Sequence, residues 1–331
     1  EQTYNGSAAA SSKISVTVSR NGDLLSSVWI ANKTTAAAAI LAPAAIAMID
    51  NVEVEIGGQV IDKQYGHWMQ VWTDLTHDSD KSQLLDDSAN AAVSGDVSYV
   101  PLQFWFCRNP GLALPLIALQ YHEVKLNVTF AAVTVGLGNV SVWCDYVFLD
   151  TDERRRFAQV SHEYLIEQVQ YSNALAVSGT STQHELRFNH PVKELVWTVH
   201  DHSADVDHDG DGDAVGTSAK VPSDTDISCT TALLQLNGHD RFKRREGKYF
   251  TKVQRYQYHS GVGDVERRAA ATAIRADDSI PHVYSFALKP EEHQPSGTCN
   301  FSRIDNAVLN LEHVDVTTGK LHVYAVNYNV L

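Results

Sequence analysis

Apolar and polar residues alternate in several short stretches of the chain, and this period of two is typical of β-strands with one buried face. In the clearest stretch Val124, Leu126, Val128 and Phe130 share one parity, and the residues between them are polar. Similar alternation, or a short apolar run beside a turn signal, predicts further strands at residues 14–18, 24–30, 52–56 and 139–149.

The period changes after the Gly57-Gly58 turn signal. Apolar residues then recur at helical spacing, at Ile61, Tyr65, Trp68, Trp72 and Leu75. This spacing predicts an amphipathic helix over 61–76 whose aromatic stripe packs on a sheet, an interpretation we favour over a ligand platform. The polar residues 77–98 are predicted to form a loop, and the charged stretch 151–159 a linker or a short helix.

The aromatic stretch 99–130 is interrupted by Pro101, Pro110 and Pro115. These prolines argue against a continuous helix and therefore against a membrane span. We interpret the stretch as a strand, a structured loop over 108–114 and one or two further strands. The apolar run 36–49 is too short to cross a bilayer, and no signal peptide is visible.

The second half of the chain repeats short patterns of the first. The matched pairs are Asn21 with Asn189, Trp29 with Trp197, Ile56-Gly57-Gly58 with Leu236-Asn237-Gly238, Gly66 with Gly247, and Leu126-Asn127-Val128 with Leu309-Asn310-Leu311. Such order indicates a tandem duplication. We expect an all-β protein with two jelly-roll sandwiches, at 1–150 and 160–331, joined by a linker at 151–159.

The separation between matched residues grows from 168 at the Trp pair to 180 at the Gly turn. The second copy is therefore expected to hold 12 extra residues, which we assign to an acidic loop at 200–216. The spacing of Asp205, Asp207, Asp209, Asp211 and Asp213 resembles the start of a calcium loop. Gly216 stands where such a loop needs a bidentate Glu, so an acidic surface loop is the simpler interpretation.

Composition narrows the class of protein. The 331 residues carry a net charge of −14, which argues against broad binding of nucleic acid. The hydrophobic fraction of 44% is enough for real cores. The four cysteines are widely spaced, which is more typical of buried thiols in a reducing compartment than of a disulfide framework: Cys107, Cys144, Cys229 and Cys299.

No motif indicates an enzyme, a cofactor or a resident metal. A metal-dependent bicupin is the one enzyme class that also has tandem barrels. His200, His202 and Asp207 fit the first half of its motif loosely, but Asn300 stands where the second half needs a ligating His. The chain contains no P-loop, no GxGxxG and no GxSxG nucleophile motif.

Two surface features remain open at this point. Sequons make Asn5, Asn32 and Asn139 candidates for glycosylation. The basic stretch 241–248 is interpreted as a solvated helix start or an inter-subunit ion pair, with a polyanion contact as the alternative.

Several long stretches resemble the major capsid proteins of nucleocytoplasmic large DNA viruses, the double jelly-roll family. They are SVTVSRNGDLL (15–25), VEVEIGGQVIDKQYG (52–66), YVPLQFWFCRNPGLALPLIALQYHEVKLNV (99–128), DRFKRREGKYF (240–250), YSFALKPEEHQPSGTCNFSRIDNAVLNL (284–311) and YAVNYNVL (324–331). The resemblance spans nearly the whole chain. It also implies further residues at both ends.

This resemblance implies a structural capsid protein that forms a homotrimer, a pseudo-hexagonal capsomer that tiles an icosahedral shell. It implies contacts with neighbouring capsomers and minor capsid proteins, an inner viral membrane adjacent but not spanned, and no direct contact with nucleic acid. It further implies residence in the virion, assembly in the host cytoplasm and possible glycosylation, with loop 200–216 on an outward tower. A minor capsid paralogue or a spike-associated glycan-binding protein is the alternative.

Overall fold

The computed structural model describes residues 1–33, 46, 48–77, 81, 97–132, 137–201, 229–261 and 281–331. In this part of the chain strands dominate, and the few helices are short. None of the described helices is both long and apolar enough to cross a membrane.

Within its described residues, the first sandwich contains nine strands in two sheets. The strands are β1 Tyr4–Asn5, β2 Lys13–Thr17, β3 Leu24–Lys33, β4 Ile49–Ile56, β5 Gln59–Tyr65, β6 Val97–Pro101, β7 Leu114–Pro115, β8 Val124–Phe130 and β9 Asn139–Val147. One sheet has the order β1-β2-β8-β4-β5, and in the other β3 pairs with β6, β7 and β9. The two sheets enclose the first core, in which Ile14, Leu25, Val52 and Leu126 are fully buried.

The described residues of the second sandwich form eight strands. They are β10 Leu165–Glu185, β11 Pro191–Asp201, β12 Cys229–Leu236, β13 His239–Asp240, β14 Arg245–Glu246, β15 His282–Ser285, β16 Cys299–Asn300 and β17 Ala307–Val330. The long strands β10 and β17 pair with each other through three register shifts and contribute to both layers. The start of β17 pairs with β12 and its end with β11, so the pairings form one continuous sheet.

Short helices connect the strands. They are α1 Gly66–Thr76, α2 Trp105–Arg108, α3 Thr151–Gln159 and α4 Gln254–Tyr258, with a π-helical turn Tyr249–Val253 directly before α4 and 3-10 turns at Pro110–Leu112 and Phe301–Arg303. Helix α3 is one of the two alternatives predicted for 151–159, and no residue of it is buried.

The duplication is visible in the strand registers. Val54 pairs with Leu126, and Leu234 pairs with Leu309, at separations that match the predicted repeat. Both copies also close the β4–β5 and β12–β13 turns with two residues at positive φ, Gly57-Gly58 and Asn237-Gly238. Only glycine and asparagine adopt this conformation readily, which explains the turn signals in both halves.

One predicted repeat pair is wrong by one residue. Trp29 pairs with Trp143 and points outward, whereas Trp197 pairs with Val323 and is buried in the second core. The register instead makes Val196 the structural equivalent of Trp29. A shift of one residue turns a strand side chain to the opposite face, so the identity of the two tryptophans is coincidental.

Other boundaries also differ from the predictions. Residues 61–65 belong to β5, where Asp62 and Gln64 face inward, so the helix begins at Gly66 rather than at 61. The predicted loop 77–98 ends in strand β6, while most of it lies outside the described residues. The basic stretch 241–248 contains strand β14, and a helical segment starts at its end, at Gly247 and Lys248.

Candidate functional site: the junction and the exposed sandwich faces

Helix α1 of the first sandwich packs against the outer face of the second. Trp68, Val71, Trp72 and Leu75 form a buried cluster with residues of the second sandwich, namely Val169, Val196, Val283, Tyr324 and Val326. The helical spacing of the four α1 residues places them on one side of the helix. This apolar contact joins the two sandwiches, and we refer to it as the junction.

Polar contacts fix the position of α1 in the junction. Nδ1 of His67 lies 2.7 Å from the hydroxyl of Tyr324, and the ring of Trp68 lies 5.1 Å from the same tyrosine ring. The guanidinium of Arg108 stacks 4.0 Å from the ring of Trp72. Such directional contacts select one orientation of the helix among those that apolar packing alone would allow.

A buried ion cluster lies beside the junction. Glu167 accepts from Lys193 Nζ at 2.8 Å and from Arg108 Nη1 at 3.1 Å. The side chain of Lys193 is 0% exposed, and its Nζ also donates to the carbonyl of Pro290. A buried ammonium is costly unless it is paired and hydrogen-bonded. These two oxygens accept two of its three N–H donors, and the ring of Tyr328 lies 5.6 Å from Nζ.

A second buried group lies on the neighbouring residue of β11. Nε2 of His259 is 3.1 Å from Glu194 Oε2, and its Nδ1 is 3.1 Å from Glu291 Oε1. Burial lowers the pKa of His259, but the two carboxylates outweigh it and raise this pKa to about 9. Burial also opposes ionisation of Glu291, yet hydrogen bonds from His259 and Ser260 lower its pKa overall. At neutral pH the histidine is therefore a cation held between two anions.

Asp62 is a buried acidic group at the junction. Burial raises the pKa of Asp62 to about 6, against the lowering effect of hydrogen bonds from Gln64 and Val169 and of the Arg108 charge. The backbone N–H of Val169 donates to its Oδ1 at 3.2 Å across the junction. Because the second sandwich supplies this donor, the carboxyl also links the two sandwiches.

The described residues contain no cluster of three or more His, Cys, Asp or Glu side chains that could hold a metal ion. Of the bicupin motif, Asn300 caps a 3-10 turn by accepting from the N–H of Ser302, and His202 and Asp207 lie outside the described part. The calcium candidates Asp205, Asp207, Asp209, Asp211 and Asp213 lie outside it as well.

The three glycosylation candidates differ in accessibility. Asn5 and Asn139 are exposed at strand ends, so they stay candidates. Asn32 is only 5% exposed, and its Oδ1 accepts from the N–H of Gly138 at 2.8 Å. We withdraw Asn32 as a candidate, because a buried and hydrogen-bonded amide cannot present its nitrogen to a glycan.

Thiols and basic residues fill structural roles. Burial raises the pKa of Cys107 and of Cys229 to about 12, which keeps both as thiols. All four cysteines are free. In the basic stretch, Arg244 pairs with Glu312 at 3.0 Å and Arg245 stacks 4.4 Å from the ring of Tyr249.

The exposed aromatic surface is a feature that the sequence patterns did not reveal. Trp143 is 46% exposed and Tyr99 43% exposed on the outer face of the sheet that contains β3, beside Trp29. Tyr256 of α4 is 90% exposed. The outward parity of Trp143 in β9 was the available signal, because Val140, Val142 and Cys144 alternate there with Ser141 and Asp145.

Two tandem jelly rolls packed side by side define the class of double jelly-roll proteins. Residues 1–150 match the family model for the major capsid protein N-terminus, and residues 153–331 match that for the large eukaryotic DNA virus major capsid protein. This chain therefore belongs to the major capsid protein family of large eukaryotic DNA viruses.

Curated relatives agree with the family models. The major capsid protein of Pyramimonas orientalis virus is 45% identical, with 100% of this chain and 86% of the relative covered. That of Paramecium bursaria Chlorella virus 1 is 38% identical, with 100% and 87% covered.

Solved structures show the same fold. The crystal structure of PBCV-1 VP54 matches with a TM-score of 0.82 at 36% identity and covers 100% of this chain and 92% of VP54. The Faustovirus major capsid protein matches with a TM-score of 0.71 at 10% identity over 100% and 90%, which shows the fold alone. The expected double jelly roll is confirmed.

Proposed function

We propose that this chain is the major capsid protein of a large double-stranded DNA virus and that it builds the icosahedral shell. The observation that carries the proposal is the full-length similarity, at 45% identity, to a protein named major capsid protein, together with the same double jelly roll in PBCV-1 VP54. A fixed arrangement of the two sandwiches suits this function, and the junction is held by apolar contacts and by the Arg108–Glu167 ion pair.

We further propose a homotrimer as the unit of assembly. Two similar sandwiches in each of three chains give a six-lobed tile with closed threefold symmetry, and six near-equivalent sides allow hexagonal packing. Domains 1–150 and 160–331, joined at 151–159, would supply the lobes, with the insertion 200–216 on an exposed tower.

The partners follow from this role. Neighbouring capsomers and minor capsid proteins would contact the sides and base of the tile, in the virion and after assembly in the host cytoplasm. The net charge of −14 supports a shell that has no direct contact with the genome, with an inner viral membrane adjacent but not spanned. Neither a catalytic activity nor a cofactor is part of the proposal.

Light scattering coupled to size-exclusion chromatography tests the trimer on the purified full chain. We expect three times the mass of 36.5 kDa at micromolar concentration. A monomer would contradict the proposal.

Labelling of virus particles with an antibody against the chain tests the shell, and we expect dense, regular labelling. Labelling confined to a few sites per particle would favour the minor paralogue.

A further inference from the structure

The outer sheets of the two sandwiches present equivalent rows of side chains. In the second sandwich Val196 lies between its partners Tyr324 and Val283. In the first, the same register places Trp29 between Trp143 and Pro101. The two central strands, β3 and β11, also correspond. Near its start each has one residue that is skipped in the pairing with its neighbour, β9 or β17. The two rows are thus copies of one structural surface.

The two rows differ in whether the chain covers them. Val196, Tyr324 and Val283 are at most 1% exposed, because helix α1 of the first sandwich packs on them. Trp143 of the other row is 46% exposed, and Tyr99 beside it is 43% exposed. An aromatic patch of this kind on a soluble surface indicates an interaction site.

The second sandwich has its own version of the covering helix. Met69 of α1 is buried in the first core, and Phe250 is buried in the second core three residues after Gly247, as Met69 is after Gly66. The residues three and six positions after Met69 are Trp72 and Leu75, and both are buried in the junction.

The residues three and six positions after Phe250 are Val253 and Tyr256, which are 42% and 90% exposed. The chain therefore has one junction filled and an open row on the first sandwich. It also has a second helix whose Arg255 donates to the carbonyl of Asp74 in α1 but whose Val253 and Tyr256 stay exposed.

We propose that residues 249–258 of one copy pack on the Trp29, Tyr99 and Trp143 face of a second copy, which repeats the α1 junction between chains. The inference deepens the proposed function, on which it rests, by assigning the residues that join the chains of the trimer. The contact is head-to-tail, since helix and row lie on different sandwiches, and such contacts close into a ring when the rotation permits. Three chains then give six junctions that alternate within and between chains.

Both junctions contain aromatic side chains. The row covered within the chain combines Val196 and Val283 with Tyr324, and Trp68 and Trp72 of α1 pack on it. The open row carries Trp29, Tyr99 and Trp143, and the open helix carries Tyr256. Tryptophan and tyrosine are enriched at the centres of protein–protein interfaces, where they dominate the binding energy.

The test compares the mass of the full chain with that of the variants Tyr256→Asp and Trp143→Asp over a dilution series. Each substitution places a charge in the proposed contact, so we expect the trimer to dissociate at a concentration at least about tenfold higher than the wild type. Tyr121→Asp is the matched control, because Tyr121 is 95% exposed and lies outside both surfaces. We expect this control to remain trimeric at wild-type concentrations.

Hydrogen exchange on the wild type alone gives a second measurement that does not depend on the variants folding. Amides of 139–147 and 249–258 should become protected when the chain is concentrated from monomer to trimer. Trimers that survive both aspartate substitutions, equal weakening by Tyr121→Asp, or unchanged exchange in both segments would overturn the inference while the trimer stands. A wild-type monomer would instead contradict the proposed function itself.

Discussion

The same backbone irregularity occurs at the start of β3 and of β11, and it holds two different residues. Ser26 is skipped in the pairing of β3 with β9, and its Oγ donates to the carbonyl of Asp145 at 3.1 Å. Lys193 is skipped in the pairing of β11 with β17, and it is fully buried against Glu167. The bulge is therefore part of the duplicated scaffold, whereas the buried charge belongs to the sandwich that the junction covers.

The largest expected effect concerns helix α1, which covers the outer face of the second sandwich, whereas the equivalent face of the first sandwich is open. Trp68→Ala should lower the free energy of unfolding by about 3–5 kcal/mol, because Trp68 is 0% exposed at the junction. Trp143→Ala in the monomeric chain should cost less than about 1 kcal/mol, because its ring is half-exposed. Urea unfolding of both variants measures the difference, and similar losses would show that the two faces are equally covered.

The next effect tests the two bulge residues. Lys193→Met should cost about 3 kcal/mol, because it leaves Glu167 buried with Arg108 as its remaining ionic partner. Ser26→Ala is the matched variant, and its cost should stay below about 1 kcal/mol. Both are measured by denaturant unfolding at pH 7. A small loss for Lys193→Met would mean that the free-energy cost of burying the ammonium is as large as the stabilisation from its contacts.

The strands and the duplication could be predicted from sequence because alternation and turn residues are local signals. The face of each strand was less secure, as Trp29 and Trp197 show, since a sequence match that is offset by one residue pairs side chains on opposite faces of a sheet. The start of α1 was misplaced because Ile61 and Tyr65 fit the helical period while their strand pairs with β4.

The predicted packing of the aromatic stripe of α1 on a sheet is confirmed, since Trp68 and Trp72 lie in the junction. The sequence could not show that this sheet belongs to the other sandwich, because its strands come from distant parts of the chain and no local pattern joins them. One signal was available: Lys193 and Glu194 interrupt an otherwise apolar strand, which is unusual unless the charges are paired. The resemblance to a family supplied the fold and the shell, but it could not show which faces of this chain stay open.

Titration of His259 should make the free energy of unfolding depend on pH, by an amount similar to or smaller than the loss expected for Lys193→Met. Its folded-state pKa of about 9 lies above the ordinary value of 6.5. Its contribution is therefore complete below pH 6.5 and is lost as the pH rises toward 9, by up to about 3 kcal/mol. His259→Gln should remove the pH dependence of stability in this window, measured as the urea midpoint at pH 6 and pH 9.

His239→Gln is the control for this titration, because His239 is exposed in β13 and carries no such pair of carboxylates. We expect it to retain the wild-type slope between pH 6.5 and 9. If His259→Gln kept that slope as well, the pair of Glu194 and Glu291 would not hold the histidine as a cation.

The smallest expected effect tests whether the two copies are equivalent where nothing covers them. Gly58 has φ +87° and Gly238 has φ +79°, and a Cβ at either position would meet no atom within 4 Å. Alanine should therefore cost only the backbone strain, about 1 kcal/mol at each turn. Thermal or urea unfolding of Gly58→Ala and Gly238→Ala should give equal losses within error. Unequal losses would mean that the same substitution destabilises the two turns to different extents although their backbone geometry is the same. The duplication would then be preserved in backbone geometry and not in energetics.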